Sequence, residues 1–428
     1  MMRKGWLPAI LALALALRFA GLGHWSLWND EVATVQEARA LFSYGGAQRY
    51  PINYLLTAAT FTLLGDNAFT ARLLPALWGT ATVAAVYLLG GYLAGRTTAV
   101  LAALVLALHP YHIFWSQNAR HYALLVLLLT LFLYCVYRAR REDRPLGVGW
   151  LLFLLAALTH TTAVLALPAI LLLKWHRVRR LFPLLVAIIV VTVLACFLWE
   201  PLRTVTVDRL RAGRSWGGDA VHVLAAFVYY FNPALLVLAW YGWKQVPDCR
   251  SHKLALWVAI PVAALLLASF FGDVNTAYAL FALPVVIILA AAGVAQSAWR
   301  GRLGILMLLA LVPQLWWYYQ SYGQRPRYRE AARFIVNHQR QTGVARTTMT
   351  SLPRTMPHYL ATPVLGISAD ARLLNGVYVL QDYDFNYLDP DGRVRGILQA
   401  RGLQLASFRS VTPVRDYTLT LWYLPPKD

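Results

Sequence analysis

Two adjacent carboxylates, Asp30 and Glu31, stand in LWNDEVA (residues 27–33), just where the first apolar stretch of the chain ends. A carboxylate at that boundary can accept a proton from a hydroxyl, ligate a cation, or cap the helix signalled by the aliphatic spacing of VATVQEARALF. Neighbouring positions on a helix point in different directions, so Asp30 is the stronger candidate for chemistry and Glu31 the lesser one. A second group lies in HPYHIFWSQNARHYAL (109–124), which crowds two histidines, Gln117, Asn118, Arg120 and His121 among aromatic rings. Tyr and Trp belong at a membrane interface without any chemistry, but Arg120 opens an otherwise apolar helix and needs water, a carboxylate or a phosphate beside it. A third candidate, His160, sits in a short turn with Thr161 and Thr162, where it either satisfies backbone carbonyls or faces a substrate. The fourth group is EPLRTVTVDRLRAGRSWGGDA (200–220), whose Arg203, Arg209, Arg211 and Arg214 suit an anionic headgroup or a phosphate.

The elements that must position these residues are set by composition. The 428-residue chain is 59% hydrophobic and repeats nearly uncharged runs such as AILALALALRFA and VVIILAAAGVA until about residue 320. A polytopic membrane protein follows, since a soluble domain has no place for so much apolar sequence. The basic MMRKGW start resembles a signal peptide, but no clean small-residue cleavage site follows, and the segment reads as a retained first helix. The net charge of +20 does not imply nucleic acid, because the basic residues of the apolar region flank its helices, as anionic lipids and the insertion machinery select. Cys135, Cys196 and Cys249 have neither disulfide-framework nor zinc-like spacing.

Basic clusters at Arg3 and Lys4, Arg96, 138–144, 174–180, Lys244 to Lys253, and Arg300 and Arg302 place those loops and the N-terminus in the cytoplasm. Spans are expected at 6–20, 73–93, 98–112, 120–137, 181–199, 221–242, 254–270, 278–296 and 303–319. Residues 149–173 make two short helices meeting outside at LTHTTA (158–163), and 54–65 is a juxtamembrane helix in a first outer loop of 21–72, which gives eleven spans. Eight of the eleven acidic residues before position 320 then fall outside: Asp30, Glu31, Glu37, Asp66, Glu200, Asp208, Asp219 and Asp273. The outer face is therefore the expected chemical face. After YYQSYGQRPR the composition changes to short strand-like runs, a DPDG turn and the helical YREAARFIVNHQ. The expected organisation is a mainly α transmembrane region, 1–320, and a small mixed α/β extracytoplasmic domain, 321–428. No GxGxxG, P-loop, HExxH or cysteine pair occurs.

These segments, in this order, resemble polytopic glycosyltransferases of the GT-C fold, in the family 39 group that includes protein O-mannosyltransferases and the lipid A aminoarabinose transferase. LWNDEVATVQEAR resembles the first-loop acidic segment, and PINYLLTAATFTLLGDNAFTARLLPALWG the one after it. FWSQNARHYALL resembles an SQEARMYAL pattern, THTTAVLALPA an H-Y-T-A helix start, and RPRYREAARFI the linker into the outer domain. The resemblance covers nearly residues 1–340 and becomes diffuse beyond. It implies a polyprenyl-phosphate sugar donor, a lipid, glycan or protein acceptor, and Asp30 as general base or acceptor-orienting group, with Glu31 second. Arg72 and Arg120 match arginines near the donor pocket, and His160 matches a hairpin histidine. Three departures stand out. Asn118 replaces the acidic member of SQEAR, Arg49, Tyr50 and Pro51 replace a histidine that precedes the proline, and NTAYALFALP keeps Tyr278 but lacks an arginine beside it. The arginines of 203–214 are then the substitute source of charge.

The resulting expectation is an inverting sugar transfer at the outer face of the plasma (inner) membrane, without nucleic acid as a partner. A divalent cation, magnesium or manganese, is the one cofactor in question, and Asp30 and Glu31 alone supply few oxygen ligands for it. A transporter or lipid flippase is the rival of a different class and predicts polar residues at the bilayer midplane. A catalytically inactive assembly protein is the other, suggested by Asn118 and the missing arginine.

Overall fold

The computed structural model describes residues 5–41, 51–172, 219–245, 252–272, 274–367, 374–383, 391–412 and 416–426, with Phe385, Asp389 and isolated positions between 179 and 203. The helices in chain order are α1 (Trp6–Phe19), α2 (Asn29–Arg39), α3 (Pro51–Leu64), α4 (Ala68–Leu108), α5 (Pro110–Ser116), α6 (Tyr122–Glu142), α7 (Val148–Thr159), α8 (Ala220–Phe231), α9 (Pro233–Gln245), α10 (His252–Ala268), α11 (Leu283–Gln296), α12 (Arg300–Leu309), α13 (Val312–Gln320), α14 (Tyr328–Thr342) and α15 (Arg393–Arg401). Segments of 3-10 helix cover Thr161–Leu172 and Thr276–Ala282. The strands are β1 (Thr348–Thr350), β2 (Val364–Gly366), β3 (Val377–Gln381), β4 (Leu403–Phe408) and β5 (Leu419–Leu424). The chain divides into two compact units, Met1–Leu22 with Ala38–Leu315, and Gly23–Glu37 with Trp316–Asp428.

The first unit is helical and polytopic. Against the eleven expected spans, four stretches among the described residues are long and apolar enough to cross a membrane: Ala68–Leu108, Tyr122–Glu142, Thr276–Gln296 and Arg300–Gln320. The bent pair Ala220–Phe231 and Pro233–Lys244 makes a fifth if it is one crossing. The count is lower than expected because breaks divide the apolar sequence into short pieces, and because most of 181–199 lies outside the described residues. α1, α3, α7 and Leu254–Ala268 are apolar but shorter.

The breaks have local causes. Within α4, Ala94 (φ −142°, ψ 16°) and Gly95 (φ 86°, ψ 178°) leave the helical region, and the positive φ is one that glycine adopts at little cost. A Cβ on Gly90 would lie 3.5 Å from the Ala99 Cα. Positions nine apart on a straight helix are about 13 Å apart, so 68–93 and 96–108 double back on each other at the turn that carries Arg96. The expected straight span over 221–242 is bent by 80° instead. Asn232 (φ 68°, ψ 117°) ends α8, and Pro233, which has no N–H to donate, opens α9. The polar groups freed at this bend are reclaimed locally. The Asn232 amide donates to the Ala310 carbonyl and to Gln314 Oε1, both at 3.1 Å, and Gln314 Nε2 donates to the Tyr229 carbonyl at 2.9 Å. At the centre of the unit α11 is buried from Leu283 to Val294. It meets α9 through glycines, since a Cβ on Gly242 would stand 1.9 Å from the Leu289 carbonyl oxygen.

In the second unit a five-stranded mixed sheet runs in the order β2-β1-β3-β5-β4. β1 is parallel to β2 and β3, β5 is antiparallel to β3 and β4, and the register pairs Thr348 with Tyr378 and Val379 with Trp422. Alternation along β3 divides the core in two, as a strand's period of two requires. Tyr378 and Leu380 pack with Tyr328, Ala331, Ala332 and Ile335 of α14, whereas Val377 and Val379 pack with Val394 and Leu398 of α15. Trp28, from the segment 23–37, is packed against the α14 side of this core.

Candidate functional site

The acidic pair is built into the second unit. Trp28 occupies the position before α2, and its carbonyl accepts the N–H groups of Glu31 and Val32, both at 2.9 Å. Glu31 is fully buried, and its carboxylate accepts the Trp28 N–H at 3.4 Å, the return bond of a capping box. Asp30, one position earlier in the same first turn, is only partly buried. Two adjacent acids thus have different environments, because they point about 100° apart around the helix axis. The preceding residues are held along their length. Trp25 packs edge-on against Tyr318, ring centroids 5.6 Å apart, with the Arg325 guanidinium 5.1 Å from its ring centre. The Ser26 N–H donates to Tyr322 Oη at 3.2 Å, and Ser26 Oγ accepts the Arg329 N–H at 3.0 Å. Arg329 Nη1 donates to the His24 carbonyl at 2.6 Å. Burial pushes the Tyr322 hydroxyl pKa up, so it remains a neutral hydrogen-bonding group.

In the first unit the other expected residues form two groups. Around the end of α1, Arg72 is buried and donates to the Leu22 carbonyl at 2.9 Å. Gln117 is likewise buried, and its amide nitrogen donates to the carbonyls of Leu17, Arg18 and Ala20 at 3.0, 3.0 and 2.7 Å. Four carbonyls lack helical partners at any helix C-terminus, and Gln117 covers three at the end of α1. Sequence reasoning does not single out the centre of this group, Arg18. It is fully buried and donates to the carbonyls of Ala14, Leu106 and Ala107 at 3.0, 3.2 and 3.2 Å and to His112 Nδ1 at 2.8 Å. The negative C-terminal ends of α1 and α4 thus compensate this guanidinium. The signal for it is a lone charge inside the first apolar segment, which requires internal acceptors.

The second group surrounds His160. Its ring stacks on His121 with centroids 4.4 Å apart at 20°, and Tyr278 lies 5.5 Å away. Tyr122 bridges to Trp115, and Tyr111 stacks on Tyr230 at 4.3 Å while its hydroxyl bonds Thr276 at 2.9 Å. The turn after α7 orients the His160 ring, with Nδ1 accepting the Thr162 N–H at 3.2 Å and lying 2.7 Å from the Thr162 hydroxyl. Burial first, and the Arg120 guanidinium second, lower the His160 pKa to about 3. The ring is neutral at physiological pH, so it offers hydrogen bonds and a stacking face rather than a charge. Asn118 is buried next to Gln117, and its carbonyl accepts the Arg120 N–H at 2.7 Å. Arg203 is exposed, while Arg209, Arg211 and Arg214 lie outside the described residues.

Among the described residues no three His, Cys, Asp or Glu side chains stand together where they could hold a metal ion. Asp30 and Glu31 by themselves supply few oxygen ligands for a divalent cation.

The family described as dolichyl-phosphate-mannose-protein mannosyltransferase matches residues 49–199. ArnT from Cupriavidus metallidurans in its apo state superposes with a TM-score of 0.62 at 15% identity, covering 97% of this chain and 98% of that one. The same protein bound to undecaprenyl phosphate gives 0.61 at 15% identity, covering 98% of each. The chain has the GT-C fold. Another GT-C protein, the archaeal oligosaccharyltransferase AglB from Archaeoglobus fulgidus in complex with an inhibitory peptide and a dolichol-phosphate, gives 0.52 at 11% identity over 97% of this chain and 74% of that one. No curated protein matches the sequence. The chain is mainly α and polytopic, with a small C-terminal mixed α/β unit.

Proposed function

We propose that this GT-C protein is an inverting glycosyltransferase that moves a sugar from a polyprenyl phosphate to a hydroxyl of a lipid, glycan or protein at the outer face of the plasma (inner) membrane. The observation that supports the reading is the different burial of the adjacent acids, Glu31 fully buried with its carboxylate on the Trp28 N–H and Asp30 partly exposed at the start of α2. Asp30 takes the proton of the acceptor hydroxyl while its oxygen attacks the anomeric carbon. The bond from that carbon to the phosphate oxygen breaks, and the electron pair leaves with the polyprenyl phosphate. A phosphate leaving group needs little protonation, so a second acid is not required, and Asn118 is compatible with activity.

In this reading Arg72 and Arg120 offset charge that grows on the departing phosphate, and the arginines at 203, 209, 211 and 214 supply the charge that is missing beside Tyr278. His121, His160 and Tyr278 present a neutral aromatic wall to the donor, with Gln117 and Asn118 shaping its base. Undecaprenyl phosphate and dolichol-phosphate, bound to ArnT and AglB respectively, support a polyprenyl-phosphate donor by analogy of fold. The topology proposed with it has a cytoplasmic N-terminus, a transmembrane domain of 1–320 and an outer domain of 321–428. Mass spectrometry of products from the purified protein, given a panel of polyprenyl-phosphate sugars with lipid, glycan and peptide acceptors, tests the reading. Sugar transfer that needs the donor and is lost in Asp30→Asn is expected. Absence of any transferred sugar across the panel, or full transfer by Asp30→Asn, overturns it.

A further inference from the structure

The segment joining β1 to β2 grips the residues on either side of Trp28, immediately before Asp30. Tyr359 Oη accepts the Leu27 N–H at 2.6 Å and donates to the Leu27 carbonyl at 3.1 Å, so one hydroxyl satisfies both backbone groups of a residue that is 1% exposed. Thr355, fully buried, donates through Oγ1 to Asn29 Oδ1 at 3.3 Å. Leu27 and Asn29 flank the position that caps α2, so the grip holds both neighbours of that position. The far end of the gripping segment is itself fixed. Asp382, just past β3, accepts hydrogen bonds from Thr350 Oγ1 at 3.0 Å and from Ser351 Oγ, at the ends of two parallel neighbouring strands. A run of contacts thus leads from the sheet, through 351–359, to the turn that carries Asp30. The gripping hydroxyls of Tyr359 and Thr355 come from more than 300 residues away in sequence, although local capping by Glu31 already starts the helix. A second, rigid support beneath a partly exposed carboxylate is what orientation of a reacting group requires.

We propose that Tyr359, assisted by Thr355, is a positioning residue for the Asp30 carboxylate. The inference rests on the reading of Asp30 as the base. Small misplacement of a reacting group costs up to about 10²-fold in rate. Tyr359→Phe, which keeps the ring and removes the hydroxyl, is therefore expected to lower kcat by about 10- to 100-fold with donor KM within about twofold of wild type. In an Asp30→Asn background the same change is expected to have no further effect on the residual rate, whereas a general loosening of the fold would multiply the two losses. Thr355→Val, which removes the second hydroxyl at nearly constant shape, is the companion variant. Wild-type kcat in a folded Tyr359→Phe protein, with Asp30→Asn inactive, overturns the positioning role and leaves the base assignment standing. Full activity of Asp30→Asn removes the base assignment and with it the inference. If neither Tyr359→Phe nor Thr355→Val unfolds cooperatively, the grip is structural only and the inference fails.

Discussion

At the scale of single residues, burial separates groups that look alike in sequence. His160 is the clearest case for a pH prediction. Its folded pKa of about 3 lies below the ordinary value of 6.5, so above pH 6.5 both folded and unfolded forms are neutral and its packing contributes fully. As pH falls through 6.5 towards 3 the unfolded chain binds a proton that the folded one does not, and stability is lost. Thermal unfolding in detergent is expected to shift downward between pH 7 and pH 5, by less in His160→Gln than in wild type. An equal shift in both would remove His160 from this effect. Arg18 gives a second prediction: Arg18→Met leaves the Leu106 and Ala107 carbonyls without their charged donor and is expected to lower stability by roughly 3 kcal/mol, read from the unfolding midpoint. Much at this scale was legible in the sequence only as a type. LWNDEVA announced its carboxylates and a helix start, but which acid would be the cap depended on a Trp28 N-cap position that no Ser, Thr or Asn marks. Gln117 read as a polar group near an interface. Its three acceptors lie 97 to 100 positions away, and no local pattern reports them.

At the scale of elements, apolar composition located the helices but not their breaks. The reversal at Gly95 was foreshadowed by Arg96, because a charge between two apolar runs must reach water. The bend at Asn232–Pro233 was not, although a proline is an open warning, since whether a helix bends or stops depends on what re-bonds the freed carbonyl. Here Gln314 does so. The contact between α9 and α11 yields a further prediction. Gly242→Ala places a methyl against the Leu289 carbonyl oxygen, a backbone atom that cannot rotate aside. Destabilisation of about 1–3 kcal/mol is expected from overpacking, measurable as a lower unfolding midpoint, while Gly301→Ala, with open space around its Cβ position, is expected to be neutral. A neutral Gly242→Ala would show that the helices separate readily.

At the scale of the whole molecule, the order of apolar runs followed by a strand-rich tail was enough to indicate a polytopic helical unit and a C-terminal α/β unit, because hydropathy and strand alternation are local signals. Assignment of Gly23–Glu37 to the α/β unit was not legible, because it depends on contacts between the two ends of the chain. That assignment places the proposed base on the domain that follows the last apolar segment. The topology proposal makes a direct prediction: a single cysteine at Asn375 or Asp391, in a background lacking Cys135, Cys196 and Cys249, is labelled from outside intact cells by an impermeant maleimide, and one at Arg141 is not. Reversed labelling would move the acid pair to the cytoplasm and remove the proposed chemistry.

The proposed roles of the two neighbouring carboxylates differ, and single-turnover transfer from a bound polyprenyl-phosphate sugar separates them. Asp30→Asn is expected to slow the chemical step by about 10²- to 10⁴-fold while the donor still binds and the unfolding midpoint is retained. Glu31→Gln is expected to keep the step within a few-fold of wild type and to lower the midpoint instead. A normal rate in Asp30→Asn, or a loss in Glu31→Gln as large as that in Asp30→Asn at unchanged stability, would contradict the account.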